Sequence, residues 1–367
     1  MTLSDFDSYR PAHEGRRKKK RNRPSGNGRR RGGGGGDGAR EMSMVDDVEF
    51  SDSYYGRPIV KPPPWDWKIS AYLFAGGVAG GSGMLAAGAD AAGLEKLRRN
   101  TRLTALGATI GGTGFLILDL GRPERFLHMM RTFKPSSPMN MGTWILGGFG
   151  TAAGVVAAIE VDRIAGEKLP LGPLRTILHW VEKPTGAMAA LFGAPLASYT
   201  GALLADTAVP TWNAAKDNLS YLFVSSAAMA SSGVAMITTP TEQTRPARVL
   251  ATAGAAADLY FAEKLTEPMH PAEAEPLQTG RAGKKLRWAK GLTIAGGIGA
   301  AFLGRNRIAA IASGAALATA SALTRMAVLE AGIDSTKDPR HVVEPQKARL
   351  EARRAQGIVD DSITTVG

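Results

Sequence analysis

The sequence predicts an all-α integral membrane protein with about eight transmembrane helices arranged in two four-helix bundles. Residues 69–89 form a run of 21 residues without a single charge, and about 20 apolar residues suffice to cross the ~30 Å hydrocarbon core of a bilayer. Glycine accounts for 45 of the 367 residues. Much of it lies inside the apolar runs, where small residues let helices approach closely in lipid.

Seven more apolar runs follow the first, and helices are the open-ended element that satisfies its own backbone in lipid. The last two uncharged runs, residues 291–303 and 308–323, are separated by only four residues, which predicts a tight hairpin with Arg305 and Arg307 snorkelling at its tip. We find no convincing internal repeat, although Pro184 and Pro195 interrupt the fourth run. The predicted spans lie near residues 69–89, 103–119, 141–159, 183–206, 219–240, 249–264, 288–304 and 308–329.

Polar segments flank this membrane domain of residues 69–331. The first 40 residues carry twelve Lys or Arg against four acids, so residues 1–47 should form a disordered basic tail. The tail has neither interleaved aromatics nor the apolar segment of a secretory signal, which argues against nucleic-acid binding and secretion. Residues 48–68 read as a proline- and aromatic-rich interfacial approach, and residues 332–367 as a polar C-terminal tail.

The distribution of basic residues predicts the orientation of the chain. With eight spans, the N-terminal tail, the loop after the second span and the loop after the sixth share one side. These segments carry more Lys and Arg than the loops on the opposite side. Since such segments are retained in the cytoplasm, we expect a multi-pass protein of the cell membrane with both termini cytoplasmic.

The composition limits which cofactors this chain can hold. It contains no cysteine, so disulfides, thiolate zinc sites and cysteine-ligated iron–sulfur clusters are excluded within it. We therefore expect no iron–sulfur cluster and no bound metal in this chain. We also expect no heme, because none of the histidines lies in the middle of a predicted span. The five histidines are His13, His128, His179, His270 and His341.

One hairpin, LDLGRPERFLHMMRTFKPSSPMNMGTW at residues 118–144, concentrates ionisable groups at the predicted membrane rim. Asp119 ends an apolar run and is followed by Arg122, Arg125 and His128. Turn residues are enough for a simple connector, whereas ionisable groups at a bilayer rim suggest function. The alternative is a charged interfacial loop that anchors two helices, with Asp119 merely paired to Arg122 or Arg125.

These residues also carry a family resemblance. DLGRPERFL and KPSSPMNMGTW resemble the signature of the NrfD/polysulfide reductase membrane-subunit family. So do PPPWDWKISAYLFAGGVAGGSG at the first span, SYTGALLADTAVPTWN at the fourth and ALTRMAVLEAG near the end, in the family's order. The resemblance implies a subunit that holds a membrane quinone of the menaquinone type, without a primary catalytic cofactor. It implies as partners a docked ferredoxin-like iron–sulfur subunit and a molybdopterin catalytic subunit.

The resemblance places the quinone headgroup at the predicted cytoplasmic face. Quinone reduction needs hydrogen-bond donors for two carbonyls, a titratable group connected to water and an apolar slot open to lipid. Tyr199 could donate, although it could equally be a belt tyrosine, and His128 could be an ordinary surface histidine. The candidate proton-handling (catalytic) residues are Asp119 and His128, and the candidate quinone-binding residues are Tyr199, Trp67, Tyr72, Arg122 and Trp144.

Two other functions stay open at this point. Acids in the second half of the chain could relay protons or ions, which would make the chain a translocating subunit of a related respiratory complex. Alternatively, Asp258 and Glu263 are interfacial and Arg325 snorkels to the surface. A transporter would instead show inverted repeats with broken spans in matching positions, which the sequence does not display.

Overall fold

The computed structural model describes residues 58–120 and 123–357, and over these ranges the chain is helical with no strand. The predicted basic tail and residues 48–57 of the interfacial approach lie outside the described residues. The helices are α1 (Trp67–Ala91), α2 (Glu95–Asp119), α3 (Pro138–Ile164), α4 (Pro173–Ala205), α5 (Pro210–Ala214), α6 (Lys216–Thr238), α7 (Arg245–Thr266), α8 (Pro271–Gln278), α9 (Gly280–Ile298), α10 (Arg307–Ser335) and α11 (Arg340–Ala355).

Every predicted span coincides with one long helix: α1, α2, α3, α4, α6, α7, α9 and α10. Within the described residues, six of these are long and apolar enough to cross a membrane, namely all except α7 and α9. Each of these two helices carries five charged side chains, which lower its mean hydropathy. The all-α membrane fold is therefore confirmed, and the count of eight spans stays a prediction.

Several helices are longer than the apolar runs that predicted them. α2 begins at Glu95 and α4 at Pro173, because charged residues in their first turns are paired with other helices instead of ending the span. Pro184 and Pro195 lie inside α4 without terminating it. The predicted C-terminal tail contains the ordered helix α11, which packs against α8 and α5.

The long helices form two rings of four. In the first, α1, α2, α3 and α4 each pack against the next, and α4 closes the ring against α1. In the second, α6, α7, α9 and α10 do the same, and α6 packs against both α1 and α4 where the rings meet. The two predicted four-helix bundles are thus present, which we call the first and second bundle. We name the two ends of the helices by residues found there, the Asp119 end and the Arg102 end.

Each bundle is closed by a crossing of two glycines. A Cβ atom on Gly80 of α1 would lie 2.5 Å from the Gly193 carbonyl oxygen of α4, and 3.2 Å from the amide nitrogen four residues later. A Cβ atom on Gly233 of α6 would lie 2.5 Å from the Gly314 carbonyl oxygen of α10, again with the amide four residues later at 3.4 Å. Only glycine permits backbones to approach this closely.

The hairpin between α9 and α10 differs in one respect from the prediction. Arg305 is exposed as expected, but Arg307 does not simply reach toward solvent. Its guanidinium donates hydrogen bonds to the carbonyls of Met236 (3.0 Å), Ile237 (2.5 Å) and Thr239 (2.6 Å). These carbonyls lack partners within α6 because the helix ends there, so Arg307 caps α6 and joins it to α10.

Candidate functional site

A lysine bridges the start of α1 and the end of α2 at the Asp119 end. Asp66 caps α1 by accepting a hydrogen bond from the Lys68 backbone N–H at 2.8 Å. The Lys68 ammonium lies 2.7 Å from Asp66 and 3.7 Å from Asp119. Burial acts to raise the pKa of Asp66, but the hydrogen bonds from Lys68 outweigh it and leave that pKa below its usual value. The described partner of Asp119 is therefore Lys68.

An aromatic pair lies beside this ion pair. Trp67 begins α1 and is 62% exposed, and its ring meets that of Phe115 edge-on with centroids 5.8 Å apart. Phe115 lies one turn before Asp119 on α2, so the two share a helix face. Trp67 and Lys68 are likewise adjacent on α1. The arrangement sets an accessible aromatic surface next to a carboxylate and an ammonium.

Tyr199 is half-buried and packs against a glycine. A Cβ atom built on Gly142 of α3 would lie 2.9 Å from the Tyr199 Cζ atom, so the ring occupies the space that any larger residue would need. The Pro195 carbonyl, one turn earlier on α4, accepts a hydrogen bond from the Ser198 hydroxyl at 3.2 Å. Packing against α3 therefore fixes the tyrosine ring.

Tyr72 lies deeper than Trp67 and faces the interior of the first bundle. It is buried, and a Cβ atom on Gly112 of α2 would lie 3.7 Å from its Cδ2 atom. Tyr199 packs against the same hydrophobic cluster that includes Tyr72. The two phenols predicted for the site thus belong to one apolar interior.

The remaining predicted residues are not gathered with these. His128 is exposed on a short 3₁₀ helix, Pro123–Met130. Trp144 donates through Nε1 to the Thr132 carbonyl at 3.3 Å. Because it is two residues from Gly142, it points about 200° around α3 from the face that meets Tyr199. Arg122 lies outside the described residues.

Asn140 organises the loop before α3. Its side-chain amide donates to the carbonyls of Met129 (3.0 Å) and Thr132 (2.9 Å), and its oxygen accepts from the Lys134 N–H at 2.7 Å. One side chain thereby supplies three hydrogen bonds to a segment without regular structure, which holds the loop against the start of α3.

The sequence did not predict a buried ion cluster at the Arg102 end. Arg102 on α2 lies 2.8 Å from Glu160 on α3 and 2.5 Å from Glu182 on α4. Arg163 donates two hydrogen bonds to Glu182 at 2.7 and 2.6 Å. Arg98 and Asp90 extend the cluster, so all four helices of the first bundle contribute. The only sequence signal was charge at the edges of apolar runs, which equally indicates exposed loops.

A cavity of about 390 Å³ opens beside this cluster. Arg102, Asp90 and Lys183 lie at its polar part, and small residues from α1, α2, α3 and α4 line the rest. It lies at the opposite end of the first bundle from Trp67 and Asp119. The cavity is therefore separate from the predicted quinone site.

The second bundle contains a fully buried arginine. Arg325 on α10 has no exposed surface; it donates to the carbonyls of Leu73 (2.9 Å) and Phe223 (2.8 Å) and lies 4.6 Å from the centroid of the Phe223 ring. Asp258 on α7 is 4% exposed, and its Oδ1 has no hydrogen-bond partner among the described residues. The alternative from the sequence, in which Asp258 is interfacial and Arg325 reaches the surface, was therefore wrong for both residues. Glu263 is exposed, as that alternative predicted.

The described residues also bear on metal binding. Among residues 58–120 and 123–357 there is no group of three or more His, Asp or Glu side chains with the geometry to hold a metal ion. The histidines in this part of the chain lie apart from one another, at His128, His179, His270 and His341.

The fold and these clusters define a multi-pass, all-α membrane protein with a cluster of ion pairs between the helices of its first bundle. A family model described as polysulphide reductase NrfD matches residues 59–248, slightly more than half of the chain, and the chain belongs to this family. The chain is thus a membrane subunit of the polysulphide-reductase-like oxidoreductases. The match ends inside α7, so the ALTRMAVLEAG motif lies beyond it. A search of curated proteins found no match.

Proposed function

We propose that this chain binds the headgroup of a membrane quinone at the Asp119 end of the first bundle and passes electrons between the quinone and a docked iron–sulfur subunit. The observation that carries the proposal is the placement of the exposed Trp67 and the half-buried Phe115 beside the Lys68–Asp119 ion pair. An apolar surface facing lipid and a group able to exchange protons are two of the three requirements of a quinone site, and hydrogen-bond donors for the carbonyls are the third.

The residues present fit a quinone. Trp67 and Phe115 offer ring surface to the headgroup, and Tyr199 offers a phenol as hydrogen-bond donor. Lys68 can donate to a carbonyl oxygen and Asp119 can hold or release a proton at the membrane rim. A bound quinone would supply the two-electron, two-proton chemistry, and Tyr72 would contribute to the apolar wall of the site.

A tryptophan comparison tests this proposal. In the purified complex with its partner subunits, Trp67→Ala should raise the KM for a water-soluble quinol analogue several-fold. Trp180 on α4 is the matched control, because it is also exposed, at 82%, but it lies toward the Arg102 end. Unchanged kinetics in Trp67→Ala, or an equal change in Trp180→Ala, would contradict the proposal.

The Asp119 end is also the basis for the partners and the membrane orientation that we propose. We propose that the ferredoxin-like iron–sulfur subunit docks there and relays electrons to a molybdopterin catalytic subunit. In the described residues α1 begins and α10 ends at the Asp119 end, and α11 lies there too. This agrees with a cell-membrane protein whose termini are both cytoplasmic.

A second candidate function is proton translocation through the second bundle. It rests on Asp258, a buried carboxylate in the second bundle, which also contains Arg325. One oxygen of Asp258 has no hydrogen-bond partner among the described residues. Buried acids in membrane bundles commonly mark proton relays. In proteoliposomes containing the complex, Asp258→Asn should abolish quinol-dependent proton release while leaving electron transfer measurable. Proton release at the wild-type ratio would remove this candidate.

A further inference from the structure

The first half of α9 is the most cationic helix surface in the described part of the chain. Arg281, Lys284, Arg287 and Lys290 are all exposed within ten residues. Lys285 is paired with Glu330 on α10, whereas Lys284 has no ion-pair partner among the described residues. The guanidinium of Arg287 donates to the Gln278 carbonyl at 3.2 Å, which holds it near the start of the helix.

Along one exposed face of α9 the side chains change from basic to aromatic and then to mostly aliphatic. Lys284 and Arg287 come first, and Trp288 follows at 71% exposure. Ile294, Ile298 and Phe302 continue the exposed face as apolar side chains. From Trp288 to Ile298 the helix rises about 15 Å at 1.5 Å per residue, which is the depth of one leaflet of a ~30 Å hydrocarbon core.

The basic part of this face is concave. Lys284, Arg287 and Trp288 line a depression of about 330 Å³. α9 packs against α10, which is one of the six helices apolar enough to cross a membrane. The exposed faces of α9 and α10 therefore share one environment. The order cation, indole, aliphatic matches the order phosphate, glycerol, acyl chain in a phospholipid.

We propose that this face of α9 is a binding site for one anionic phospholipid. Lys284 and Arg287 contact the headgroup phosphate, Trp288 lies at the level of the glycerol, and the face from Ile294 to Ile298 receives an acyl chain. Basic residues near a membrane surface favour anionic lipids, and tryptophan favours the interface. A soluble anion would use the cations but would leave the tryptophan and isoleucine face without a role.

Native mass spectrometry of the full chain in a neutral detergent tests the proposal. Titration with dioleoyl phosphatidylglycerol should give tighter binding of a first lipid than titration with dioleoyl phosphatidylcholine. The double variant Lys284→Gln/Arg287→Gln should weaken phosphatidylglycerol binding about thirtyfold and change phosphatidylcholine binding little. Lys284→Gln alone disturbs no described contact, and it should show a smaller loss of the same kind without loss of fold.

A control separates this site from general charge attraction. Lys168→Gln/Arg305→Gln removes the same two charges from exposed positions at the Arg102 end and should leave phosphatidylglycerol binding unchanged. Equal weakening by the control pair would overturn the proposal, as would undiminished binding in the α9 variants. Competition by sodium phosphate at the lipid's concentration would show a simple anion site and would also overturn it.

Discussion

The ring of Tyr199 on α4 lies directly over Gly142 on α3, so near that a methyl group at residue 142 would overlap it. Two helices that are neighbours in the bundle thereby fix the orientation of one phenol. A donor held in place by packing loses little conformational entropy when it forms a hydrogen bond, which makes this contact the most direct point at which to test the proposed site.

Removing only the hydroxyl tests the phenol. Tyr199→Phe keeps the ring against Gly142, so the complex should assemble normally. We expect the rate of quinol oxidation to fall about tenfold or more, which corresponds to the loss of one good hydrogen bond. Steady-state kinetics of the complex with a quinol analogue provide the measurement. Kinetics indistinguishable from wild type would move the site toward Trp67 and Tyr72.

Displacing the ring tests its orientation. Gly142→Ala should push Tyr199 away and lower quinol turnover as much as Tyr199→Phe does. Gly154→Ala is the control, because a Cβ atom at Gly154 on the same helix meets nothing within 4 Å. The comparison uses the same kinetic assay together with the yield of assembled complex. Normal turnover in Gly142→Ala would argue that the position of the ring is irrelevant.

Neutralising the rim carboxylate tests proton exchange. Asp119→Asn keeps the size of the side chain and leaves Lys68 with Asp66 as partner. We expect turnover to fall by about 10²-fold or more, as for loss of a general acid–base group, with normal membrane insertion. Asp206→Asn is the control, because it changes an exposed acid at the same end. It should leave turnover unchanged. If Asp119→Asn retains full turnover, the carboxylate is only structural.

The buried ion cluster should dominate the stability of the first bundle. Arg102→Leu removes the buried cation that joins Glu160 to Glu182 and leaves these acids only the more exposed Arg98 and Arg163. Breaking a buried pair typically destabilises a protein by about 3–5 kcal/mol. Thermal unfolding in detergent should therefore show a large decrease in Tm. Arg99→Leu, at an exposed position on α2, should change Tm little. Similar Tm values for the two variants would show that the cluster contributes no net stability.

Chemical labelling tests the proposed orientation. Ser136 is exposed in the loop between α2 and α3, and the chain has no native cysteine to interfere. In intact cells, Ser136→Cys should resist a membrane-impermeant maleimide and react after the membrane is permeabilised. Ready labelling from outside would reverse the orientation.

The sequence predicted the helices well because transmembrane spans depend on local composition. A run such as residues 69–89 has to be helical in lipid whatever it packs against. The Arg102 cluster could not be predicted in the same way, since Arg102, Glu160 and Glu182 are far apart in the chain and each alone resembles a loop charge.

The candidate site was predictable only in part. The family motifs made Trp67, Tyr72, Asp119 and Tyr199 candidates for the quinone site, and their role there stays a prediction. Nothing local to the sequence indicated that Lys68 would be the described partner of Asp119. Which face of α3 carries Trp144 depends on how that helix is rotated in the bundle, and this is a tertiary property.

The two glycine crossings occupy equivalent places in the two bundles. Gly80 meets Gly193 between the first and fourth helices of one bundle, and Gly233 meets Gly314 between the first and fourth helices of the other. Both bundles begin at the Asp119 end of the molecule, so their four long helices run in the same order and the same directions.

Counting residues from these glycines shows where the side chains of the two bundles differ. Tyr72 lies eight residues before its crossing glycine, and the residue in the same place of the second half is Ser225. Tyr199 lies six residues after its crossing glycine, and its counterpart is Ala320. The second bundle therefore has the glycine crossing but neither phenol, so the proposed quinone site belongs to the first bundle alone.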